Sequence, residues 1–398
     1  MSFPELYLLK NEDRRIRAGH PWIYSNEIDN KKSPLKSFQP GEAVHIKAHD
    51  HSILGTAYVN PHSLITARLF SRKSNATLDT TLLTRRLRIA LRRREQFFPL
   101  PYYRMVFAEG DGLPGLIIDR MNEHLVCQLN TAGMDAVKTQ LIDALIEILP
   151  ETKSIIFRND SSARKLENLN EEIITGFGTP PEKVLLTEND CHFYVPLWEG
   201  QKTGWFYDHR INRASLKDHV INKRVLDLFS YLGGWGIQAA NYGAEEVICM
   251  DISKLSEQMI HENAKLNGVE DKIKTYTEDA FVALKQLHQA KETFDVIILD
   301  PPAFVKKQKD RKEGLIAYQR LNEMAMKILR PGGLLFSCSC SMHVSFDDLL
   351  QTIRRASVNI NKIDTMQMIA RGAQGPDHPV HLMIPEMDYL KMIVVHGV

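Results

Sequence analysis

The chain has 398 residues, of which 43% are hydrophobic and 25% are charged, and its formal net charge is +1. This length suits two or three globular domains of about 100 to 200 residues each. No stretch approaches the roughly 20 apolar residues of a membrane span, and the start lacks the charged and then apolar pattern of a signal peptide. We therefore expect a cytoplasmic protein without a membrane partner. The near-zero net charge neither supports nor excludes a nucleic-acid partner.

Short alternating apolar runs with turn residues between them fill residues 1–72. They predict strands over residues 6–9, 43–46, 52–59 and 63–69. This pattern favours a small β-barrel.

A cationic cluster precedes the aromatic stretch from Pro21 to Tyr24. It includes Arg14, Arg15 and Arg17. Cations beside aromatic side chains are typical of an RNA-contacting surface. A solvated basic turn beside a core tryptophan explains the same residues equally well.

The period becomes helical from Thr80 to Gln96, where Leu83, Leu87 and Leu91 share one face. Arginines, among them Arg92 and Arg93, cover much of the remaining surface of this helix. They could bind phosphates or form an ordinary solvated face. Strands over 116–119, 124–130 and 154–158 and a helix over 136–149 complete a central α/β domain, expected at residues 73–187.

The third region, residues 188–398, begins its main pattern with an apolar strand from Val225 to Phe229 and a glycine turn at Gly233, Gly234 and Gly236. Glycines permit a tight turn and close approach of a ligand to the backbone. Asp227 inside the strand would repel a pyrophosphate but suits a cofactor with a cationic amino-acid head. This pattern therefore predicts S-adenosylmethionine (SAM).

Three further acids follow apolar strands in the same way, namely Asp251, Asp279 and Asp300. Alternating strands and helices predict a doubly wound parallel sheet, whose ligands bind at the carboxyl edge of the strands. We expect Asp251 to bind the ribose and Asp279 the adenine amino group. A single acid of this kind is more often a helix cap, but four in succession make coincidence improbable.

The predicted cofactor-binding residues extend to neighbours of these acids and to a second polar stretch that starts near Lys202. They are Lys202, Thr203, Asp208, Arg210, Asp227, Phe229, Ser230, Gly233, Gly234, Asp251, Ile252, Asp279, Ala280 and Asp300.

Substrate chemistry is expected at Asp300-Pro-Pro-Ala-Phe304, because two prolines fix an extended turn that holds the carboxylate at the sheet edge. An aromatic residue directly after the prolines would favour methylation of an exocyclic amine, and Ala303 stands there instead. The basic loop beyond, which includes Lys306 and Lys307, is predicted to follow a nucleic-acid backbone.

Two of the five cysteines, Cys338 and Cys340, lie in a Ser-Cys-Ser-Cys-Ser run at the end of a predicted strand. A thiolate is a suitable nucleophile for C6 of a pyrimidine. Core packing is expected for the other three cysteines. No C-x-x-C pair occurs, so neither a metal site nor a disulfide framework is predicted.

These motifs together resemble a bacterial family of large-subunit ribosomal RNA methyltransferases, RlmI, which makes 5-methylcytosine in 23S rRNA. The resemblance spans nearly the whole chain. The matching segments are Arg17-Ala-Gly-His-Pro-Trp22, Asp111-Gly-Leu-Pro-Gly115, Gln201-Lys-Thr-Gly204, Asp227-Leu-Phe-Ser-Tyr-Leu-Gly-Gly234, Leu299-Asp-Pro-Pro302, Ser339-Cys-Ser341 and Asp377-His-Pro-Val380.

The resemblance implies a multidomain α/β protein with an N-terminal PUA domain, a central α/β domain and a Rossmann-like class I methyltransferase domain. It also implies a homodimer, a 23S rRNA partner, and Cys340 and Asp300 as catalytic residues. Two alternatives stay open: methylation of another position such as guanine N7, with Cys340 as packing, and a catalytically inactive RNA-binding assembly factor.

Overall fold

The computed structural model describes residues 3–362 and 366–397, which form two compact units. Unit 1 contains Met1–Val184, Pro196–Trp205 and Pro376–Met387. Unit 2 contains Leu185–Val195, Phe206–Gly375 and Asp388–Val398. The chain thus leaves unit 1 and returns to it twice, so no single linker separates the units.

The N-terminal part of unit 1 is a five-stranded sheet in the order β1-β3-β4-β5-β2. Its elements are β1 (Glu5–Tyr7), α1 (Asp13–Arg17), β2 (Trp22–Ile23), β3 (Ala43–Lys47), β4 (Ile53–Val59) and β5 (Ala67–Ser71). A bridge between Leu8 and Ile28 joins the chain after β1 to the chain after β2, the two edge strands. This bridge links the edges of the sheet, as the predicted small barrel requires.

A second five-stranded sheet follows, in the order β10-β9-β8-β7-β6. Its elements are α2 (Thr80–Glu95), β6 (Tyr102–Phe107), β7 (Leu116–Met121), β8 (His124–Leu129), α3 (Ala132–Ala136), α4 (Lys138–Ile148), β9 (Ser154–Asn159), α5 (Ser162–Leu166) and β10 (Glu172–Gly178). Leu83, Leu87 and Leu91 of α2 are buried in its core, as the helical period predicted. The helix predicted over 136–149 corresponds to α4, which starts two residues later, at Lys138. Ala136 belongs instead to the separate short helix α3.

Buried polar contacts join the two sheets of unit 1. The Arg68 guanidinium in β5 lies 2.6 Å from the Glu167 carboxylate, which follows α5. The Trp22 indole donates to Glu109 at 2.7 Å. The returning segment also packs here, since Asp377 accepts from the backbone N–H of Arg104 at 3.1 Å. Asp377, the first residue of the late Asp-His-Pro-Val motif, therefore helps to hold the returning segment against the second sheet of unit 1.

Unit 2 is organised around a seven-stranded sheet in the order β15-β14-β13-β16-β17-β19-β18, and a hairpin of β11 and β12 precedes it. The elements are β11 (Lys183–Glu188), β12 (Cys191–Pro196), α6 (Arg210–Ala214), β13 (Arg224–Leu228), α7 (Gly236–Asn241), β14 (Glu246–Asp251), α8 (Lys254–Leu266), β15 (Ile273–Thr277), α9 (Ala280–Gln289), β16 (Phe294–Leu299), α10 (Arg311–Lys327), β17 (Leu329–Ser339), α11 (Phe346–Asn359), β18 (Met366–Gly372) and β19 (Lys391–Gly397).

The five strands β13 to β17 are parallel, so their carboxyl ends share one edge, whereas β19 runs antiparallel to β17. Apolar side chains of β13, β14 and β16 fill a core with α9, α10 and α11. The order reverses at β13, where a doubly wound sheet opens a ligand crevice. In the described part of the chain, no helix combines the length and apolar character needed to cross a membrane.

Candidate cofactor and catalytic site

The turn after β13 is built around Asp227. Its Oδ2 atom accepts from the backbone N–H of Gly236 at 3.0 Å. A Cβ atom at position 236 would lie 2.3 Å from the Cys249 Sγ atom and 3.1 Å from Asp227, so only glycine fits this approach. The start of α7 is thereby held against the end of β13.

The other carboxylate oxygen of Asp227 is buried, and no hydrogen-bond partner for it occurs within residues 3–362 and 366–397. Burial raises the pKa of Asp227 to about 8, with the charges of Asp300 and Asp251 adding to the effect. A cationic ligand group would supply the missing partner and favour the ionised carboxylate. This orphaned oxygen fits the ammonium group in the amino-acid part of SAM.

The backbone between Phe229 and Gly233 is unusual, since Phe229 and Tyr231 have φ angles of 65° and 51°. Left-handed conformations of such residues cost about 1 to 3 kcal/mol and gather at ligand sites. Ser230 secures the turn, because its hydroxyl donates to the Asp227 carbonyl at 2.7 Å and accepts from the Met250 N–H at 2.9 Å. Gly233 itself has a φ of 82°.

Asp251 ends β14 beside this turn. One carboxylate oxygen accepts from the Tyr231 N–H at 2.9 Å and the other from the Ser253 N–H at 3.0 Å. Each oxygen keeps a second lone pair, so ribose hydroxyls can still donate to it. The adjacent Ile252 side chain is 74% exposed and offers apolar surface of the kind an adenine ring covers.

Asp279 caps helix α9, since its Oδ1 atom accepts from the N–H groups of Phe281 and Val282 at 2.9 and 3.1 Å. The ordinary capping role therefore applies at this position. Ala280, the first residue of α9, is buried in the core. The adenine contact predicted for Asp279 remains a prediction.

Asp300 directly follows β16 and is held by two side chains. The Trp235 indole donates to Oδ2 at 3.0 Å, and His209 Nε2 lies 3.1 Å from Oδ1. Burial alone would raise the pKa of Asp300, but the His209 charge and these hydrogen bonds outweigh it and lower the pKa below its usual value. Asp300 is therefore an ionised acceptor at neutral pH.

His209 has a second partner, the Asn212 side-chain amide, which lies 3.2 Å from Nδ1. A neutral His209 ring that accepts from this amide at Nδ1 has its proton on Nε2, facing Asp300. A protonated ring instead supplies the charge that lowers the Asp300 pKa. His209, Asp300 and Cys338 also offer ligand atoms within 4.8 Å of one another. Burial raises the pKa of the Cys338 thiol well above its ordinary value, which opposes a metal-binding thiolate there.

The two candidate nucleophiles differ in exposure. Cys338 is buried within β17, whereas Cys340 lies just beyond the strand and is partly exposed. The Cys340 Sγ atom lies 3.9 Å from the Pro301 carbonyl oxygen, which places the thiol against the loop that follows Asp300. The structure thus brings Cys340 to the loop that carries the predicted catalytic acid.

The serines beside Cys340 are anchored on one buried tyrosine. Ser339 donates to the Tyr318 hydroxyl at 2.9 Å, and the Ser341 hydroxyl lies 3.0 Å from it. Ser341 also accepts from the Val305 N–H at 3.3 Å. The Ser-Cys-Ser motif therefore fixes the position of Cys340 from both sides.

Residues of the second polar stretch lie in both units. Asp208 accepts from the Tyr389 hydroxyl at 2.5 Å in unit 2. The Arg210 guanidinium lies 3.5 Å from Glu188 in the same unit. Lys202 and Thr203 belong to unit 1, where Lys202 is exposed in a turn and Thr203 is buried. Cofactor contacts of these four residues remain predictions.

The cations predicted to bind RNA are not equally available. Arg14, Arg92, Lys306 and Lys307 are exposed. Arg15 is instead engaged by Glu27 at 2.7 Å, and Arg17 by Asp13 at 2.5 Å. Arg93 is exposed and lies 3.8 Å from Asp111.

Arg94, a further arginine of α2, is not available to bind phosphates. Its guanidinium is buried and makes two hydrogen bonds to the Asp111 carboxylate, at 2.5 and 2.7 Å. Arg94 therefore stabilises unit 1.

A groove of about 570 Å³ lies between helices α10 and α11. Its lining includes Lys309, Arg311, Lys312 and Arg355, and its acid, Asp348, pairs with Arg311 at 2.6 Å. Helix α10 follows the loop after Asp300, and α11 follows the loop after Cys340. The groove therefore involves the helices that start at the catalytic edge of the sheet.

Sequence reasoning missed several residues of this site, chiefly His209, Trp235, Tyr318 and Lys391. His209 lies in the polar stretch that starts near Lys202, and Trp235 lies in the glycine turn between Gly234 and Gly236. Their positions in these two predicted ligand-binding segments could have marked them as site residues. The positions of Tyr318 and Lys391 carried no local signal, because their partners are distant in the sequence.

Family comparisons agree with this geometry. Residues 6–72 match a PUA-like domain, and residues 167–378 match the S-adenosylmethionine-dependent methyltransferase family. The second match spans more than half of the chain and includes all four acids at the sheet edge. The fold and site thus define a SAM-dependent methyltransferase with a PUA-like domain, and SAM is its cofactor.

Similarity over the full length narrows the family. "Ribosomal RNA large subunit methyltransferase I" of Aliivibrio fischeri is 36% identical over 391 residues, which are 97% of each protein. The chain belongs to the ribosomal RNA large subunit methyltransferase I family.

Solved structures share the complete fold. A chain from Streptococcus mutans described as a SAM-dependent methyltransferase superposes with a TM-score of 0.83 at 21% identity, covering 99% of this chain and 100% of that one. A second, described as a methyltransferase complexed with SAH, has a TM-score of 0.83 at 20% identity and covers 100% of both chains.

Proposed function

We propose that this protein methylates C5 of a cytosine in 23S ribosomal RNA. The observation that carries the proposal is the position of Cys340, a partly exposed thiol held 3.9 Å from the Pro301 carbonyl, at the edge of the sheet where the predicted cofactor-binding acids Asp227, Asp251 and Asp300 lie. The name of the Aliivibrio fischeri relative supports ribosomal RNA of the large subunit as the substrate class.

In the proposed reaction, the Cys340 thiolate adds to C6 of the cytosine, and the electrons of the C5–C6 double bond make C5 nucleophilic. Bound SAM would supply the electrophilic methyl group: as the bond from C5 to the methyl carbon forms, the bond from that carbon to the sulfonium sulfur breaks and S-adenosylhomocysteine is left. A base then removes the C5 proton, and the restored double bond expels the thiolate. Cytosine C5 is too weak a nucleophile without this addition, so a thiol must reach the ring.

Asp300 would orient the base. Its ionised carboxylate, fixed by Trp235 and His209, can accept from the exocyclic amino group of cytosine. Pro301 and Pro302 restrict the backbone after Asp300, so the loop does not have to become ordered when the RNA binds. The target base must leave its stack to reach this edge.

The RNA backbone is expected to lie along the groove between α10 and α11. Lys309, Lys312 and Arg355 are exposed there, and the N-terminal ends of both helices add positive partial charge. Exposed Lys306 and Lys307 precede the groove in the chain. In unit 1, Arg14, Arg92 and Arg93 are the further candidates for phosphate contacts.

The test is an RNA that carries 5-fluorocytosine at the target position, because fluorine cannot leave C5 as a proton does. The parent protein and Cys338→Ala should form a covalent protein–RNA adduct after methyl transfer, and Cys340→Ala should form none. Mass spectrometry of the rRNA nucleosides identifies the methylated base independently.

Two results would contradict the proposal. If Cys340→Ala forms the adduct and Cys338→Ala does not, the two cysteines are assigned the wrong way round. If the parent forms no adduct and the nucleosides contain another methylated base, such as N7-methylguanine, the C5 mechanism is wrong.

A further inference from the structure

A buried lysine lies beside the segment that carries Cys340. Lys391 begins β19 and stands opposite Ser339 in the antiparallel register with β17. Its side chain donates to the Ser341 carbonyl at 2.8 Å and to the Tyr389 carbonyl at 2.7 Å. The ammonium is therefore anchored on the backbone of the residue that directly follows Cys340.

The burial of this ammonium needs an explanation. Lys391 is only 6% exposed, and it has no ion pair with any residue in the two described ranges. Burial lowers its pKa, while the charges of Asp388, Cys340 and Asp348 act in the opposite direction. A buried charge with carbonyl partners alone is expensive, so it is expected where an anion forms nearby.

The groups that face the Cys340 region come from several strands and helices. Tyr318 in α10 and Lys391 in β19 interact electrostatically with Cys340, and Asp388 and Asp348 with Lys391. Asp300, Asp208 and Asp227 act on Cys338, two residues before Cys340. The acids in this set disfavour a thiolate. The positive charge of Lys391 favours it and also fixes the carbonyl next to the thiol.

We propose that Lys391 is a positioning residue that keeps Cys340 in its thiolate form and holds the Cys340–Ser341 backbone in place. This proposal rests on the nucleophile role proposed above for Cys340. An ammonium has three N–H donors, and the two carbonyls use two of them. Lys391 and Cys340 also interact electrostatically, so the ammonium lies within electrostatic reach of a thiolate at Cys340.

Thiol alkylation tests this without RNA or SAM. Iodoacetamide reacts with the thiolate, and Cys340 is the partly exposed cysteine of the five, so peptide mass spectrometry can follow it alone. In the parent protein, the rate should report a Cys340 pKa below the ordinary value of about 8.5. Lys391→Met should raise that pKa by about one unit and slow alkylation at pH 7 about tenfold, and Lys391→Arg should restore most of the rate.

Lys272→Met is the matched control, because Lys272 also donates to a backbone carbonyl, that of Ala240 at 3.5 Å, in the same unit. This variant should leave the alkylation profile unchanged. A parent pKa of 8.5 or higher overturns the proposal even if Lys391→Met does not fold. An unchanged profile in a folded Lys391→Met overturns it too, while a failed 5-fluorocytosine adduct in the parent would refute only the proposed methylation chemistry.

Discussion

At the scale of single residues, the buried Asp227 carboxylate lowers the stability of the folded protein at neutral pH, although the same group is expected to bind SAM. Its pKa of about 8 in the folded chain exceeds the ordinary value of about 3.9 expected after unfolding. The folded state therefore holds a proton that the unfolded state loses above pH 4. Stability contributed by this group is present below that pH and falls as pH rises toward 8.

Asp227→Asn should remove this penalty. We expect the variant, without SAM, to be more stable than the parent by on the order of 3 kcal/mol at pH 8.5 and by far less at pH 5. Its SAM affinity should fall at least about tenfold, since a hydrogen bond to a charged group contributes about 1.5 to 3 kcal/mol. Thermal melts at both pH values and calorimetric titration with SAM measure the two effects. If the SAM affinity of Asp227→Asn equals that of the parent, Asp227 does not contact the cofactor.

Asp251 allows a second prediction about the cofactor. Asp251→Ala removes the acceptor for the Tyr231 and Ser253 N–H groups as well as the expected ribose contacts. SAM affinity should fall by about tenfold or more, and the melting temperature without SAM should fall modestly. Asp251→Asn keeps one oxygen and serves as the control, with an intermediate affinity. Equal affinities of Asp251→Ala and the parent in calorimetry would refute the ribose assignment.

Asp251 and Asp300 could be predicted from sequence because each stands at the end of a continuous apolar run that is typical of a buried parallel strand. The partners of those acids could not. His209 and Asp300 are 91 positions apart in the sequence, and Lys391 and Ser341 are 50 positions apart. Such pairs are set by how the strands assemble, and no local pattern of residues encodes that assembly.

At the scale of elements, some strands have the bounds that the sequence predicted and others do not. β15 and β16 have the predicted bounds, Ile273–Thr277 and Phe294–Leu299. The strand expected over 63–69 instead begins at Ala67, because Asn60 to Thr66 form a turn closed by the Asn60 N–H and Thr66 carbonyl. β18 was missed, since this edge strand is mostly exposed and lacks a buried apolar face.

Helix α2 gives a prediction that separates two kinds of arginine. Arg94→Ala should destabilise the protein by about 3 to 5 kcal/mol, because it leaves the buried Asp111 carboxylate without its main partner. Arg92→Ala and Arg93→Ala, at exposed positions, should change stability by less than about 0.5 kcal/mol. Denaturant unfolding measures all three. A loss at Arg94 no larger than at Arg92 would show that the Arg94–Asp111 pair has little effect on stability.

At the scale of the whole molecule, the homodimer implied by the family resemblance stays a prediction. Sedimentation equilibrium of the full chain would check it, with a mass near 91 kDa expected for two copies of the 45.5 kDa chain. Sedimentation as a 45.5 kDa species across the concentration range would contradict it.

The overall charge of +1 means that RNA binding must come from local clusters of cations. We expect the affinity for a 23S rRNA fragment to fall steeply with salt, because each phosphate contact releases a counterion and contributes about 0.7 to 0.9 to the slope of log K against log salt. Replacing Lys309, Lys312 and Arg355 together by Ala should lower that slope by about two. Replacing Arg92 and Arg93 should lower it by about one to two.

The matched control for the groove is the triple replacement of Lys265, Lys285 and Lys291 by Ala, which removes the same charge from exposed positions outside the groove. Fluorescence anisotropy at four or more salt concentrations gives each slope. If the control and the groove variant lose the same slope, net charge alone governs binding and the groove does not hold the RNA. If the groove variant keeps the parental slope but loses methylation, the cations of the groove do not contact RNA phosphates, and they affect a step after RNA binding.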